Sequence, residues 1–313
     1  MPFDYHEPQT LSEAFRLLAS EGEAGAILAG GTDLLLQMRR RVRSYRSVIN
    51  IKAIPGLNEL RYDPAEGLTC GALVTFRELE TDPAVRLHYP ALSEAAALVA
   101  GVQLRNLATV GGNVGNASPA ADSIPPLVAL GATSEIAGPG GSRNVSLDEC
   151  FVGPGKTILA ADELFTVFHI PPPPANSGNV YQRLTPRSAM DIAVVSVAAT
   201  VQLDGSRRVT DCRIVLGAVA PVPLRAAGAE AVLRGNAPSP ALLKQAGEIA
   251  AQETRPITDM RGSAAYRRAM IAVLTGRVVE LAAQRARGAA SPAGHFNGSR
   301  QGTSQNGSTK ASS

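Results

Sequence analysis

At 313 residues, with 45% hydrophobic and 18% charged residues, the chain is long enough to bury the cores of about two domains. A net charge of +3 is too small to imply nucleic-acid binding, and no apolar stretch reaches the roughly 18 residues that span a membrane. The N-terminus, Met-Pro-Phe-Asp-Tyr-His-Glu, lacks a charged-then-apolar export pattern, which points to a cytoplasmic protein.

Helix and strand signals alternate through the first third. Thr10-Leu11-Ser12-Glu13 has the spacing of a capping box, and Leu11, Ala14, Phe15 and Leu18 recur behind it at helical period. Residues 26–29 read as a short buried strand running into Gly30-Gly31, after which Thr32 or Asp33 caps a helix over 34–38. A strand, a glycine turn and a helix start put free backbone N–H groups where a phosphate docks. The run Arg39-Arg40-Arg41-Val42-Arg43 reads as a solvated helix face rather than a contact for an acidic partner. Residues 47–52 read as a strand, Thr75-Phe76-Arg77-Glu78 as a second capping box, and 91–100 as a further helix.

Residues 109–122, Thr-Val-Gly-Gly-Asn-Val-Gly-Asn-Ala-Ser-Pro-Ala-Ala-Asp, then read as a glycine-rich loop. Gly111, Gly112 and Gly115 can take φ > 0 and admit another molecule to bare backbone. Thr109, Asn113, Asn116 and Ser118 add short polar groups, and Asp122 a carboxylate. Successive N–H groups in such a loop form an anion-binding concavity. With the Gly30-Gly31 turn this makes two loops of one character, which suits a ligand with two phosphates or an extended nucleotide.

Residues 127–130 end in Gly131, a C-cap, and Leu164–Ile170 reads as a strand that stops at four prolines, 171–174. The domain boundary is placed there. Residues 191–203 form a strand rich in Val, Ile, Ala and Thr that meets Asp204-Gly205, common hairpin chemistry, and 209–219 return as its partner. Helices follow over about 226–233, 240–252 and 263–285. From about Gly288 the composition collapses to Ser, Gly, Asn, Gln and Ala, a tail read as disordered. The division is 1–174, 175–287 and the tail 288–313.

Several chemistries are excluded. Cys70, Cys150 and Cys212 are far apart, and three thiols cannot ligate a cluster that needs four. His6, His88, His169 and His295 are equally scattered, so no metal site is expected, and any redox metal lies on another chain. Gly155-Lys156-Thr157 resembles the end of a phosphate-binding P-loop, but the glycine required five positions earlier is Cys150, so 153–157 reads as a surface turn. Gly111-Gly112-Asn113-Val114-Gly115 is not the Gly-x-Gly-x-x-Gly of a Rossmann site either.

The sequences Ala-Gly-Gly-Thr-Asp-Leu at 29–34, Arg-Asn-Leu-Ala-Thr-Val-Gly-Gly-Asn at 105–113 and Ala-Ser-Pro-Ala-Ala-Asp at 117–122 resemble the FAD-binding subunit of molybdenum hydroxylases. That family includes the medium chain of aerobic carbon monoxide dehydrogenase and the flavin subunit of xanthine dehydrogenase. Met190-Asp191-Ile192-Ala193, Leu216-Gly217-Ala218-Val219-Ala220-Pro221 and Pro256-Ile257-Thr258-Asp259-Met260-Arg261 are similar to the family's second domain, so the resemblance covers about 1–287.

The resemblance implies an α+β fold. A two-subdomain FAD-binding domain of the vanillyl-alcohol-oxidase (PCMH) type precedes a small C-terminal domain of antiparallel sheet plus helices. It implies that Ile27, Leu28, Ala29, Gly30, Gly31, Thr32, Asp33 and Leu34, together with Thr109, Val110, Gly111, Gly112 and Asn113, wrap the FAD pyrophosphate and ribityl chain. Asp122 matches an acidic residue that contacts the cofactor, and Val99 and Phe165 match apolar positions near it. Arg183 stands where many members have lysine and keeps a positive charge that favours an anionic reduced flavin. The FAD is expected to be non-covalent, because neither motif contains a histidine or cysteine. A small partner with two [2Fe–2S] clusters and a large molybdopterin chain are implied, assembled as a dimer of heterotrimers, with electrons passing to NAD or another acceptor. No nucleophile or general base is needed on this chain. Two other readings stand beside this one: a stand-alone flavin oxidoreductase of the same fold, and a non-catalytic nucleotide-binding scaffold.

Overall fold

The computed structural model describes residues 3–187 and 190–288, so the tail expected to be disordered lies, beyond Gly288, outside the described residues. The chain opens with β1 (Asp4–His6), α1 (Leu11–Glu21), β2 (Gly25–Leu28), α2 (Leu34–Arg39) and β3 (Ser47–Asn50). These three strands form a parallel sheet in the order β1-β3-β2, with Ala14, Phe15 and Leu18 of α1 buried against Ile49. Thr10 caps α1 as expected, accepting the Glu13 amide at 3.2 Å. The reciprocal half of the box does not form: the Glu13 carboxylate takes the Gln9 amide instead, at 3.0 Å. At Thr75 both halves form.

Next come β4 (Leu60–Asp63), β5 (Gly67–Gly71), α3 (Phe76–Thr81), α4 (Pro83–His88), α5 (Pro90–Leu98), α6 (Val102–Arg105), α7 (Val110–Asn116) and α8 (Ile124–Ala129). The strands β6 (Thr133–Gly138), β7 (Gly141–Ser146), β8 (Phe151–Gly153), β9 (Lys156–Thr157) and β10 (Leu164–Ile170) follow. An antiparallel sheet in the order β4-β5-β10-β6-β7 packs Leu68, Ile136 and Phe168 on Phe76, Leu92, Val110, Val114 and Leu127 of the helices. Gly155, at φ 68°, makes the β8–β9 turn, as read from sequence.

The remaining elements are β11 (Ser177–Leu184), β12 (Val195–Leu203), β13 (Val209–Gly217), β14 (Leu224–Arg225), α9 (Ala227–Leu233), α10 (Pro240–Glu253) and α11 (Ala264–Ala286). The four strands form an antiparallel sheet whose apolar face, with Val197, Val201 and Ile214, packs on Leu233, Ala250, Ile271 and Val278. The whole is a mixed helix-and-sheet chain with a larger unit of two sheets and helices followed by a smaller sheet-and-helix unit.

Two sequence readings are corrected here. The strand expected from 191 starts at Val195, because the Asp191 carboxylate accepts the amides of Arg187 and Ile192 and holds that stretch as a turn after β11, a strand the sequence did not reveal. The β12–β13 turn is not a two-residue Asp-Gly turn. Asp204 Oδ1 accepts the amides of Ser206 and Arg208, and Arg207 rather than Gly205 takes the left-handed conformation, at φ 64°.

Candidate functional site

A cavity of about 320 Å³ lies where the turn after β2 meets the start of α7. The two motifs touch directly. A Cβ built at Gly30 would stand 2.1 Å from the Leu107 carbonyl oxygen, so only glycine lets the turn close on the chain entering α7. Gly31 makes the turn itself, at φ 76°.

Val110–Asn116 corrects the reading of a loop: it is helix α7, capped by Thr109. Its glycines do not take positive φ among the described residues; they permit close packing. A Cβ at Gly111 would lie 2.5 Å from Ala72 Cβ and 2.7 Å from the Ala72 oxygen, whereas one at Gly115 meets nothing within 4 Å and faces the cavity. Glycine's poor helix propensity is overridden by the Thr109 cap, whose Oγ1 accepts the Gly112 amide at 3.1 Å, and by docking on the segment after β5.

That docking consumes the amides expected to cradle phosphate. Val110 N–H donates to the Val74 carbonyl at 3.0 Å, Gly111 N–H to Ala72 at 2.8 Å, and Asn113 N–H to Thr109 at 3.0 Å. The turn after β2 is different. Helix bonding begins with Leu35 N–H to Gly31, and among the described residues the amides of Gly30, Gly31, Thr32, Asp33 and Leu34 have no acceptor. Five consecutive free donors on the cavity wall fit a pyrophosphate. Asp33 sits at the cap of α2 without a capping bond, and burial pushes its carboxyl above the usual range. Gln37 Nε2 reaches Asn116 Oδ1 at 3.4 Å and ties α2 to α7.

Of the residues the sequence singled out, Ile27, Ala29, Gly30, Gly31, Thr32, Asp33, Leu34, Thr109, Gly111, Gly112, Asn113 and Phe165 share this wall. Leu28, Val99, Val110, Asp122 and Arg183 do not. Leu28 lies beneath Gly31, its Cδ1 2.8 Å from where a Cβ would be. Val110 is fully buried in the core. Val99 follows α5 as its C-terminal cap, its carbonyl held by Arg105 Nη1 at 3.1 Å.

Asp122 is buried between the two units. Tyr181 Oη donates to its Oδ1 at 2.5 Å and Arg183 donates to Oδ2, both from β11. Ser123 beside it donates to Asn113 Oδ1 at 2.8 Å, which links this buried group to α7. Burial pushes the Asp122 carboxyl up from 3.8 to about 6, against the Arg183 charge and the Tyr181 hydrogen bond, which both lower it. A raised carboxyl holds its proton more tightly in the folded chain than in the unfolded one. Its contribution to stability is therefore full below 3.8 and declines as pH rises towards and through about 6. Melting temperatures of wild type and Asp122→Asn measured from pH 4 to 7 should differ by such a slope; parallel curves would show that Asp122 does not titrate in this window.

Sequence reasoning missed Gly25, Gln37, Arg43, Tyr45, Leu159 and Glu163 on the wall. Arg43 was legible only as part of a basic run assigned to a helix face. The helix in fact ends at Arg39, Arg41 turns left-handed at φ 57°, and Arg43 swings to the cavity. Glu163 is held by a two-toothed pair with Arg143, which keeps its carboxyl below the usual range. Cys70, Cys150 and Cys212 are all buried, and no metal-holding group of side chains occurs among the described residues. No helix among them is long and apolar enough to cross a membrane.

A family model described as the FAD binding domain in molybdopterin dehydrogenase matches residues 1–173, and one described as the CO dehydrogenase flavoprotein C-terminal domain matches 180–282. The chain is 35% identical over 285 residues to the putative xanthine dehydrogenase FAD-binding subunit XdhB of Escherichia coli K12, covering 91% of this chain and 97% of that one. It is 34% identical to the carbon monoxide dehydrogenase medium chain of Afipia carboxidovorans, covering 91% and 98%. Among solved structures, it is similar to a chain of carbon monoxide dehydrogenase from Hydrogenophaga pseudoflava, with TM-score 0.87, 33% identity and coverage of 91% and 98%. A chain of quinoline 2-oxidoreductase from Pseudomonas putida 86 matches with TM-score 0.85 at 31% identity, covering 91% and 98%.

Proposed function

The chain belongs to the family of FAD-binding subunits of molybdopterin dehydrogenases, and on that premise we propose that it carries one non-covalent FAD and relays electrons within a three-chain complex. The observation that carries this reading is the run of five unpartnered amides, 30–34, on the wall of a cavity closed by α7. Those amides hold the pyrophosphate. Thr109, Gly111, Gly112 and Asn113 shape the opposite wall, and Phe165 supplies apolar surface. The isoalloxazine supplies the redox chemistry when bound, and the chain supplies binding, orientation and exclusion of water. Asp122 and Arg183 act from behind, setting the charge at the junction of the two units, whose boundary is placed at 171–174.

The partners in this reading are a small chain with two [2Fe–2S] clusters and a large molybdopterin chain, in a cytoplasmic dimer of heterotrimers that passes electrons to NAD or another acceptor. Relatives named as a medium chain and as a subunit of a dehydrogenase complex support an assembly. The three buried, separated cysteines support placing the clusters elsewhere.

The test uses the isolated full-length chain. It is expected to bind about one FAD, to release all of it on denaturation, and to be bleached by dithionite. With a dye acceptor it is expected to oxidise no purine, aldehyde, aromatic heterocycle or carbon monoxide. Turnover of an organic substrate at about 1 per second or faster would favour the stand-alone flavoenzyme. A colourless protein that takes up no flavin would favour the scaffold.

A further inference from the structure

Three motifs of the second unit, at 190–193, 216–221 and 256–261, contribute no residue to the cavity wall, yet the fold gathers them at one side chain. Arg267 of α11 is buried. Its Nη1 donates to the Val194 carbonyl at 2.6 Å and to the Ala218 carbonyl at 3.0 Å, and its Nη2 donates to Asp259 Oδ1 at 2.7 Å. Ala218 is left-handed, at φ 62°, and its amide donates to the Pro119 carbonyl at 2.8 Å. The Arg255 amide donates to the Val219 carbonyl, also at 2.8 Å. Asp259 and Gly262 exchange both amide–carbonyl bonds, at 3.2 Å each, which leaves Met260 and Arg261 as the two residues of a hairpin tip. The Asp259 carboxylate accepts the Arg261 amide at 2.8 Å, so the tip is fixed from within.

The surface held in this way is apolar. Met260 is fully exposed, and Met190, Ile192, Ile257 and Tyr266 are exposed beside it in the same two segments. The segments touch: a Cβ built at Gly262 would lie 3.2 Å from Tyr266 Cδ1 and 3.4 Å from Val194 Cγ1. Met190 is held at φ 54°, a left-handed conformation uncommon for its residue type. Apolar side chains scattered singly over a surface are ordinary, whereas five on two tethered loops form a patch of the kind that binds.

Composition and charge define what it binds. Residues 185–194 and 255–268 contain no lysine and no glutamate. Their two carboxylates are already engaged, Asp191 by Arg187 and Asp259 by Arg261 and Arg267. Arg187, Arg255 and Arg268 flank the apolar residues and are exposed. Met, Ile and Tyr at the centre, with arginine around them and no lysine, is the make-up of a protein–protein interface, and its sign calls for carboxylates opposite. The position agrees with a partner in electron transfer. A Cβ at Gly101, the cap of α6, would lie 3.8 Å from Met190 Cε, and α6 leads to Leu107, whose carbonyl closes on Gly30 of the cavity wall.

We infer that this face docks a protein chain of the complex, one that offers an apolar pocket for Met260 ringed by Asp and Glu side chains. Because the face is ordered before the partner arrives, little affinity is lost to ordering it. The inference rests on the assembly proposed above and adds the surface by which this chain joins it.

The test uses the full-length chain produced together with the cluster-bearing and molybdopterin chains of the same source, with light scattering for assembly and binding to the immobilised partner pair for affinity. Met260→Glu and Ile257→Glu are expected to bind about thirty-fold or more weakly. Both should keep the melting temperature and flavin content of wild type, because these side chains already stand in water in the single chain. Arg255→Glu combined with Arg268→Glu is expected to slow association about ten-fold at low salt. Leu87→Glu, at an exposed position of α4 outside the face, is expected to assemble like wild type. Met260→Glu that binds as wild type does, or Leu87→Glu that loses as much, overturns the face alone. Wild type that joins neither chain overturns the three-chain reading and the face with it. Binding of the single wild-type chain to phosphatidylserine-containing vesicles, or its dimerisation, abolished by Met260→Glu, overturns the partner in favour of a lipid surface or a second copy.

Discussion

Gly30→Val is expected to leave the purified chain without flavin and with a melting temperature several degrees lower. A Cβ at Gly30 falls 2.1 Å from the Leu107 oxygen and 2.9 Å from its carbonyl carbon, backbone atoms that cannot swing aside. Leu107 leads directly to the Thr109 cap of α7, and α7 is already closed against Ala72 at Gly111, so the strain has no soft neighbour to absorb it. Overpacking of this kind costs about 1–3 kcal/mol, or roughly 2–12 °C for domains of this size. Gly115→Ala is the control. Its Cβ meets nothing within 4 Å and its backbone is helical, so the variant is expected to be as stable as wild type or more so, by up to about 1 kcal/mol. Calorimetry reads stability and the visible spectrum reads flavin content. Normal flavin content in Gly30→Val would show that the two motifs do not form one site.

Asp122→Ala is expected to destabilise the fold by about 3–5 kcal/mol while weakening flavin binding less than Gly30→Val does. The side chains of Arg183 and Asp122 are 5% and 10% exposed, so the substitution strands a buried guanidinium and removes the acceptor of the Tyr181 hydroxyl. Removing both charges in Asp122→Asn with Arg183→Gln should recover much of that loss, since the cost of the single change lies mainly in the unpaired partner. Urea unfolding of wild type, Asp122→Asn, Arg183→Gln and the double variant measures the coupling, with Asp122→Ala run beside them. A loss under about 1 kcal/mol for Asp122→Ala would show that solvent reaches Arg183 and that the pair does not tie β11 to the α7–α8 connection.

Much of the local structure was legible because its signals are local. The caps at Thr10 and Thr75, the strands before Gly30-Gly31 and before the four prolines, and the helices after 226 all follow from neighbouring residues and from apolar period. Two misreadings share a cause. Residues 110–116 have the glycine content of a loop, yet contacts with Ala72 and Val74, more than thirty residues earlier, make them a helix. Residues 191–194 have the composition of a strand, yet the Asp191 carboxylate claims backbone amides and turns the chain. In both, a specific hydrogen bond outweighed propensity.

The sequence by itself determined the family, through two glycine motifs at a characteristic separation and three motifs in the last third. The tertiary structure alone decided which of the two motifs keeps its amides free. The motif at 109–113 donates the Val110 and Gly111 amides to carbonyls of the segment after β5 and the Gly112 and Asn113 amides to Thr109, and the turn at 30–34 has no such acceptors. It also decided that Asp122 meets Tyr181 and Arg183, and that Arg267 gathers Val194, Ala218 and Asp259. The physical reason is common to all three. A backbone or buried polar group is defined by the partner that satisfies it, and those partners lie far along the chain or across a sheet, where no local pattern records them.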